Sequence, residues 1–301
     1  MKIFLDCVPC FIRQSMEAAR LATEDYELQR AIVKRVCAEA AQLTFQENGP
    51  EVVRMVHKII KEMSGEDDPY KQVKEECNTF MAEIMPDLRK IVEDSEDPFL
   101  TAAKLAVVGN VIDVGQKRHF SKKFVLDEFS KGLKNGFAVD DMGILKEDVL
   151  RAHKILYLGD NVGETFLDRL FIEQMPYEKV TYVVKSAPVI NDAMIEDARI
   201  AGITDIVRVI DNGTDAPGCL LEDCSEEFLK EFESSDLIIA KGGGNYESLH
   251  GLNDRTYFLL MAKCPPIAKY IGCNVGEIVA VKGETVKIHY LTALPKNIIP
   301  L

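Results

Sequence analysis

No apolar run in the 301-residue chain approaches the roughly 18 residues of a membrane-spanning helix, so no transmembrane segment is expected. Positive charge is scarce. Lys and Arg number 36 against 49 Asp and Glu, and the formal net charge is -13. Nucleic acids and anionic membranes need a basic footprint, so neither is an expected partner. An anionic substrate would need local positive charge, a metal or helix N-termini. Cysteine is sparse as well: eight in a chain of this length are too dilute for a disulfide scaffold and read as reduced thiols of a cytoplasmic protein. The opening MKIFLDCVPC reaches an acid after a few apolar residues and does not read as a signal peptide. Four signature motifs are missing too. There is no G-x-G-x-x-G in the first strand-to-helix turn, no G-x-x-x-x-G-K-[ST] and no G-x-S-x-G, and Asp160 is followed by Asn161 and Val162 rather than by a second Asp at the next-but-one position. These absences argue against a dinucleotide fingerprint, a P-loop, a serine-hydrolase elbow and a haloacid-dehalogenase site. A methyltransferase is disfavoured because no glycine-rich loop follows the first strand.

What is present is enough apolar sequence, 47% by composition, for a large core and one or two domains. The first half carries helical stripes. EVVRMVHKIIKEMSG follows Pro50, places Val52, Val53, Val56, Ile59, Ile60 and Met63 on one face and stops at Gly65. After about residue 150 the texture changes to short β-rich runs: KILYLG, KVTYVV, IVRVI, DLIIA and EIVAV. ETFLDRLFIEQM, NDAMIEDARIAG and CSEEFLKEFES lie between them as helical patterns. Continuous apolar strands alternating with helices predict a parallel sheet covered on both faces. The expected organisation is a helical domain over 1–150 and a doubly wound α/β domain over 151–301.

Ligands of open parallel sheets bind beyond the carboxyl ends of the strands. Polar residues collect there. KILYLG ends in Asp160 and Asn161; KVTYVV ends in Lys185, with Asn191 and Asp192 in its loop; IVRVI ends in Asp211 and Asn212; DLIIA ends in KGGGNYE. Singly, each is ordinary turn or cap chemistry. Together, on one sheet edge, they read as a site. Asp160, Asn161 and Asp192 offer hard oxygens without imidazole or thiolate, which suits Mg²⁺ or Mn²⁺. Lys241 and the following glycines read as a phosphate cradle ahead of a short helix. A hard cation beside such a cradle points to phosphoryl chemistry.

DCVPCFIRQ, GNVID at 109–113, LGDNVGE, PVINDA at 188–193 and KGGGNYESL at 241–249 together resemble the damage-control metal-phosphatase family, long catalogued as a domain of unknown function (DUF 89), over nearly the whole chain. The Cys7-x-x-Cys10 start is similar to its prokaryotic and archaeal branch. The resemblance implies a helical domain packed on a Rossmann-like three-layer α/β/α domain with a mostly parallel sheet. It also implies a divalent metal (Mn, Mg, Co or Ni) in the cleft and hydrolysis of phosphomonoesters of small metabolites, such as sugar phosphates or damaged phosphometabolites. Carried over by motif, Asp160, Asn161 and Asp192 are the metal ligands. Lys241 with the amides of Gly242 and Gly243 holds the phosphate, and Asp160 and Lys241 carry catalysis. Asn110 and Asp113 would close the cleft from the helical half, with a helix C-terminus as the alternative reading. Asn245 and Glu164 are weaker candidates that also read as helix caps. Water attack and a phosphoaspartate on Asp160 both remain open, as does a phosphosugar- or nucleotide-binding module without turnover. Cys7 and Cys10 supply two of the four ligands a closed zinc site needs, so packing stands beside metal or regulatory use for them.

Overall fold

The structure, a computed structural model, describes residues 1–109 and 122–284. Helices α1 (Cys7–Ala22), α2 (Tyr26–Ala40) and α3 (Gly49–Ser64) come first, then α4 (Lys71–Glu93), α5 (Pro98–Val108) and α6 (Lys122–Lys134). A short strand β1 (Val139–Asp140) precedes α7 (Met142–Arg151). The alternating half runs β2 (Ile155–Leu158), α8 (Glu164–Ile172), β3 (Val180–Val184), α9 (Ile195–Ile200), β4 (Arg208–Asp211), α10 (Glu226–Ser234) and β5 (Leu237–Lys241). It closes with α11 (Gly242–Leu249), β6 (Thr256–Met261), α12 (Pro265–Ile271) and β7 (Ile278–Lys282).

Helix ends are where the sequence puts them. Asn48 and Glu51 form a reciprocal capping box at the start of α3, and Gly65 ends it in the left-handed region. Asp97 caps α5 ahead of Pro98.

One seven-stranded sheet runs in the order β1-β7-β6-β5-β2-β3-β4, parallel except for the β6–β7 pair. The strands alternate faces residue by residue. Leu237 and Ile239 of β5 enter the cluster beneath α4 to α9, while Ile238 and Ala240 enter the one beneath α10 to α12. This is the expected three-layer α/β/α arrangement.

The expected boundary at residue 150 falls inside a continuous core. Residues of α4, α5, α6 and α7 share one hydrophobic cluster with β2, β3, β5, β6 and β7, and β1 pairs with β7. Only α1 to α3 keep a cluster of their own. Periodicity shows that a helix has an apolar face but not what that face meets, so helices that cover a sheet look the same as helices in a bundle.

The α1–α3 unit lies against the loops at the carboxyl edge of the sheet. Lys61 donates to Pro188 O at 2.5 Å, Arg54 pairs with Asp215 and Asp223, and Ile190 packs into the α1–α3 cluster. Ile190 has φ +45°, a left-handed conformation that a β-branched residue rarely adopts. Among the described residues no helix is long and apolar enough to cross a membrane.

Candidate active site

β2 pairs with β3 on one side and β5 on the other, so the chain's winding reverses between β2 and β5. That reversal opens a crevice at the strand ends, and the residues after β2 and β5 meet there. Gly242 has φ +78°, and a Cβ added to it would lie 1.9 Å from Asp160 Oδ2. Only glycine lets the Asp160 carboxylate rest against the head of α11. Asp192 reaches the same place through an antiparallel bridge to Asn161, supported by Ala193 N donating to Asp160 O and Val162 N donating to Asn191 O, both at 2.9 Å. The Asn161 amide nitrogen donates to Asp160 Oδ2 at 3.0 Å and to Glu164 Oε1 at 2.8 Å. The three expected metal ligands are therefore neighbours.

The charges reinforce this. Burial pushes the Asp160 carboxyl up to about 6, the Asp192 charge adds to the rise, and Lys263, Lys185 and Lys241 oppose it. Burial likewise lifts Asp192 to about 6 against the pull of Lys185. Asp192 Oδ2 is buried without a hydrogen-bond partner, and the Lys185 ammonium stands 3.8 Å away while it donates to Gly218 O. Among the described residues no three His, Cys, Asp or Glu group as a ready metal cage. Two carboxylates with one amide suit instead a hard cation that keeps several waters. On donor chemistry and the orphaned oxygen, the residues fit such a cation.

Lys241 sits elsewhere than expected. It is fully buried, and its three N–H groups go to Ala106 O at 2.7 Å, Glu164 Oε2 at 2.9 Å and Asp168 Oδ1 at 2.8 Å. Burial alone would lower its pKa, but Asp168 and Glu164 outweigh that and raise it, so it stays charged. With every donor taken, it has none for a phosphate. The expectation that Lys241 binds phosphate directly is corrected to a role beneath the site.

Asn245 is corrected in the same way. It is 1% exposed and its amide nitrogen donates to Gly159 O at 3.2 Å and Lys241 O at 2.8 Å, stitching the ends of β2 and β5 together. Asp211 and Asn212 resolve to turn chemistry, accepting from the amides of Gly213 and Thr214. Gly243 borders open space, since a Cβ there would meet nothing within 4 Å. Asn110 and Asp113 lie outside the described residues. Cys7 and Cys10 open α1, where Cys7 packs against the α1–α3 cluster.

One exposed residue was missed. Lys263 follows β6, is exposed, and is the first of the cations opposing the rise at Asp160. It forms no hydrogen bond or ion pair among the described residues. Its signal was legible: TYFLLM is an apolar run as strand-like as the others, and the residues beyond its end belong to the same edge.

A sequence model described as the damage-control phosphatase ARMT1-like domain matches residues 3–279. This chain belongs to the damage-control phosphatase family. It is 37% identical to a damage-control phosphatase of Archaeoglobus fulgidus, over 93% of this chain and 99% of that one. With a damage-control phosphatase of Pyrococcus horikoshii it shares 36% identity over 94% and 99%. An uncharacterised protein of Methanocaldococcus jannaschii is 38% identical over 94% and 96%. A crystal structure of a DUF89 family protein from P. horikoshii superposes with a TM-score of 0.88 at 32% identity, covering 94% of this chain and all of that one. Relatives so named support a phosphatase-type role for this member of the family.

Proposed function

We propose that the protein hydrolyses phosphomonoesters of small metabolites with a divalent cation held by Asp160, Asn161 and Asp192. The observation that carries this reading is Asp192 Oδ2. A buried carboxylate oxygen without a hydrogen bond costs on the order of 1–3 kcal/mol or more, a cost that a bound cation relieves. When bound, the cation polarises a phosphoryl oxygen and lowers the pKa of a coordinated water.

The chain's own groups supply the remainder. Gly242 lets the Asp160 carboxylate approach, and the amides at the head of α11 face developing negative charge along the helix dipole. Lys263 is an exposed ammonium just beyond β6 whose charge favours the ionised Asp160, and it offers the phosphoryl oxygens the charge that Lys241 cannot. In a chain of net charge -13, that local cation also offsets an unfavourable long-range potential for an incoming phosphate.

The test is phosphate release from p-nitrophenyl phosphate. Chelation abolishes it, and Mg²⁺, Mn²⁺, Co²⁺ or Ni²⁺ restores it. Lys263→Ala lowers kcat/KM about 10²–10³-fold, by analogy with losing one preorganised donor, and leaves cation affinity nearly unchanged. Full activity in protein shown by elemental analysis to be metal-free would refute the reading.

A further inference from the structure

Beneath the candidate ligands lies a polar chain that the proposed reaction does not itself use. Tyr157 of β2 and Tyr182 of β3 are register partners with stacked rings 5.4 Å apart. Both are fully buried, and both hydroxyls donate to one carboxylate: Tyr157 to Asp168 Oδ1 at 2.7 Å and Tyr182 to Asp168 Oδ2 at 2.8 Å. Asp168 and Glu164 stand one turn apart on α8, a like-charge pair that would repel if left alone in the core. The Lys241 ammonium bridges them at 2.8 and 2.9 Å. Glu164 accepts in turn from the Asn161 amide.

Both oxygens of Asp168 are thereby committed. A carboxylate whose two oxygens are fixed by hydroxyls on two sheet strands cannot swing, and it fixes the ammonium that bridges to Glu164. The Asn161 amide nitrogen then lies between two carboxyl groups, Glu164 and Asp160, that accept from it and so orient the amide. Oδ1 is the atom of that amide whose chemistry suits a hard cation. Close packing continues up to the strand end, since a Cβ added to Gly159 would lie 2.4 Å from the Tyr182 hydroxyl.

We infer that Asp168 is a positioning residue of the site: held by Tyr157 and Tyr182, it acts through Lys241 and Glu164 to set the Asn161 amide. The inference rests on the proposed cation site for its consequence, but its geometry is a property of the protein without metal. Two measurements keep the two readings apart.

In metal-free protein labelled with ¹⁵N-asparagine, Asp168→Asn shifts the side-chain amide resonances of Asn161. Unmoved resonances in a folded variant overturn the relay, whatever the protein does with metals. In substrate-free protein, Mn²⁺ affinity read by electron paramagnetic resonance gives a double-mutant cycle. Asp168→Asn weakens binding about 10–100-fold, as outer-shell changes do. In an Asn161→Ala background the same substitution weakens it no further. An equal loss in both backgrounds means that Asp168 acts on general stability and overturns the relay. Should Asp168→Asn not fold, Tyr182→Phe removes a single hydroxyl and enters the same cycle. Wild-type protein that binds no Mn²⁺ while its Asn161 resonances still answer to Asp168 sinks the cation site and leaves the relay standing.

Discussion

Replacing Gly242 with alanine probes the site through a single methyl group. The backbone there has φ +78°, so an L residue incurs about 1–2 kcal/mol of left-handed strain. The new Cβ would lie 1.9 Å from Asp160 Oδ2 and 2.3 Å from its Cγ, whereas contacts below 3.4 Å already force a neighbour to yield. The Asp160 carboxylate must therefore retreat by about 1.5 Å, far outside the ±0.2 Å or so that a coordination sphere tolerates. Gly242→Ala should weaken Mn²⁺ binding by at least the roughly 10–100-fold seen for outer-shell changes, and kcat/KM should fall with it. Strain alone lowers Tm by only a few degrees. Gly243→Ala is the control for stability, since its Cβ meets nothing and it unfolds at or above the wild-type temperature. Isothermal titration with Mn²⁺ and phosphatase kinetics on one preparation decide the matter. Wild-type affinity and rate in a folded Gly242→Ala protein would show that Asp160 does not hold the cation, and the assignment would fail.

Lys241→Ala leaves Glu164 and Asp168 buried without their common partner and should cost about 3–5 kcal/mol of stability in chemical denaturation; a variant as stable as wild type contradicts the ion-pair reading. His57 is buried, and desolvation, helped by Lys61, depresses its pKa to about 4. The unfolded chain therefore takes up that proton first, and about 3 kcal/mol is lost as pH falls from roughly 6.5 to 4. The buried carboxyls titrate in the opposite sense, so the measure is the difference between wild type and His57→Gln, whose stability curve should lack that loss; parallel curves would refute it. Cys7→Ser with Cys10→Ser should leave phosphate release nearly unchanged, and a large fall in kcat in the folded double variant would place the thiols in the chemistry.

Much of this site was readable because apolar strands ending in polar residues mark one sheet edge. Asp160, Asn161 and Asp192 converge as that rule predicts. Lys241 was misread although the same strand held the correction. Counting by two from Leu237 and Ile239 puts its side chain on the face covered by α5 and α8, under helices rather than beside solvent. Asp168 was passed over because one acid in ETFLDRLFI looks like an exposed helix position, and only the packing of α8 against two tyrosines shows otherwise. The domain boundary was out of reach for a different reason: stripes on α4 to α7 record apolarity but not the sheet they cover.

The conformation of Ile190 bears on how the first helices and a cation influence each other. Ile190 stands two residues before Asp192, in a left-handed backbone held by packing against α1 to α3. Strain of that kind persists only while its surroundings enforce it. A ligand on Asp192 and the docking of residues 1–64 then become two sides of one equilibrium. If the seating of those helices holds Asp192 in place, whatever binds the carboxylate tightens that seating by the same factor by which loosening the helices weakens binding. The rate at which a protease enters the α1–α3 unit would thus report, from the opposite end of the chain, whether the cleft is filled.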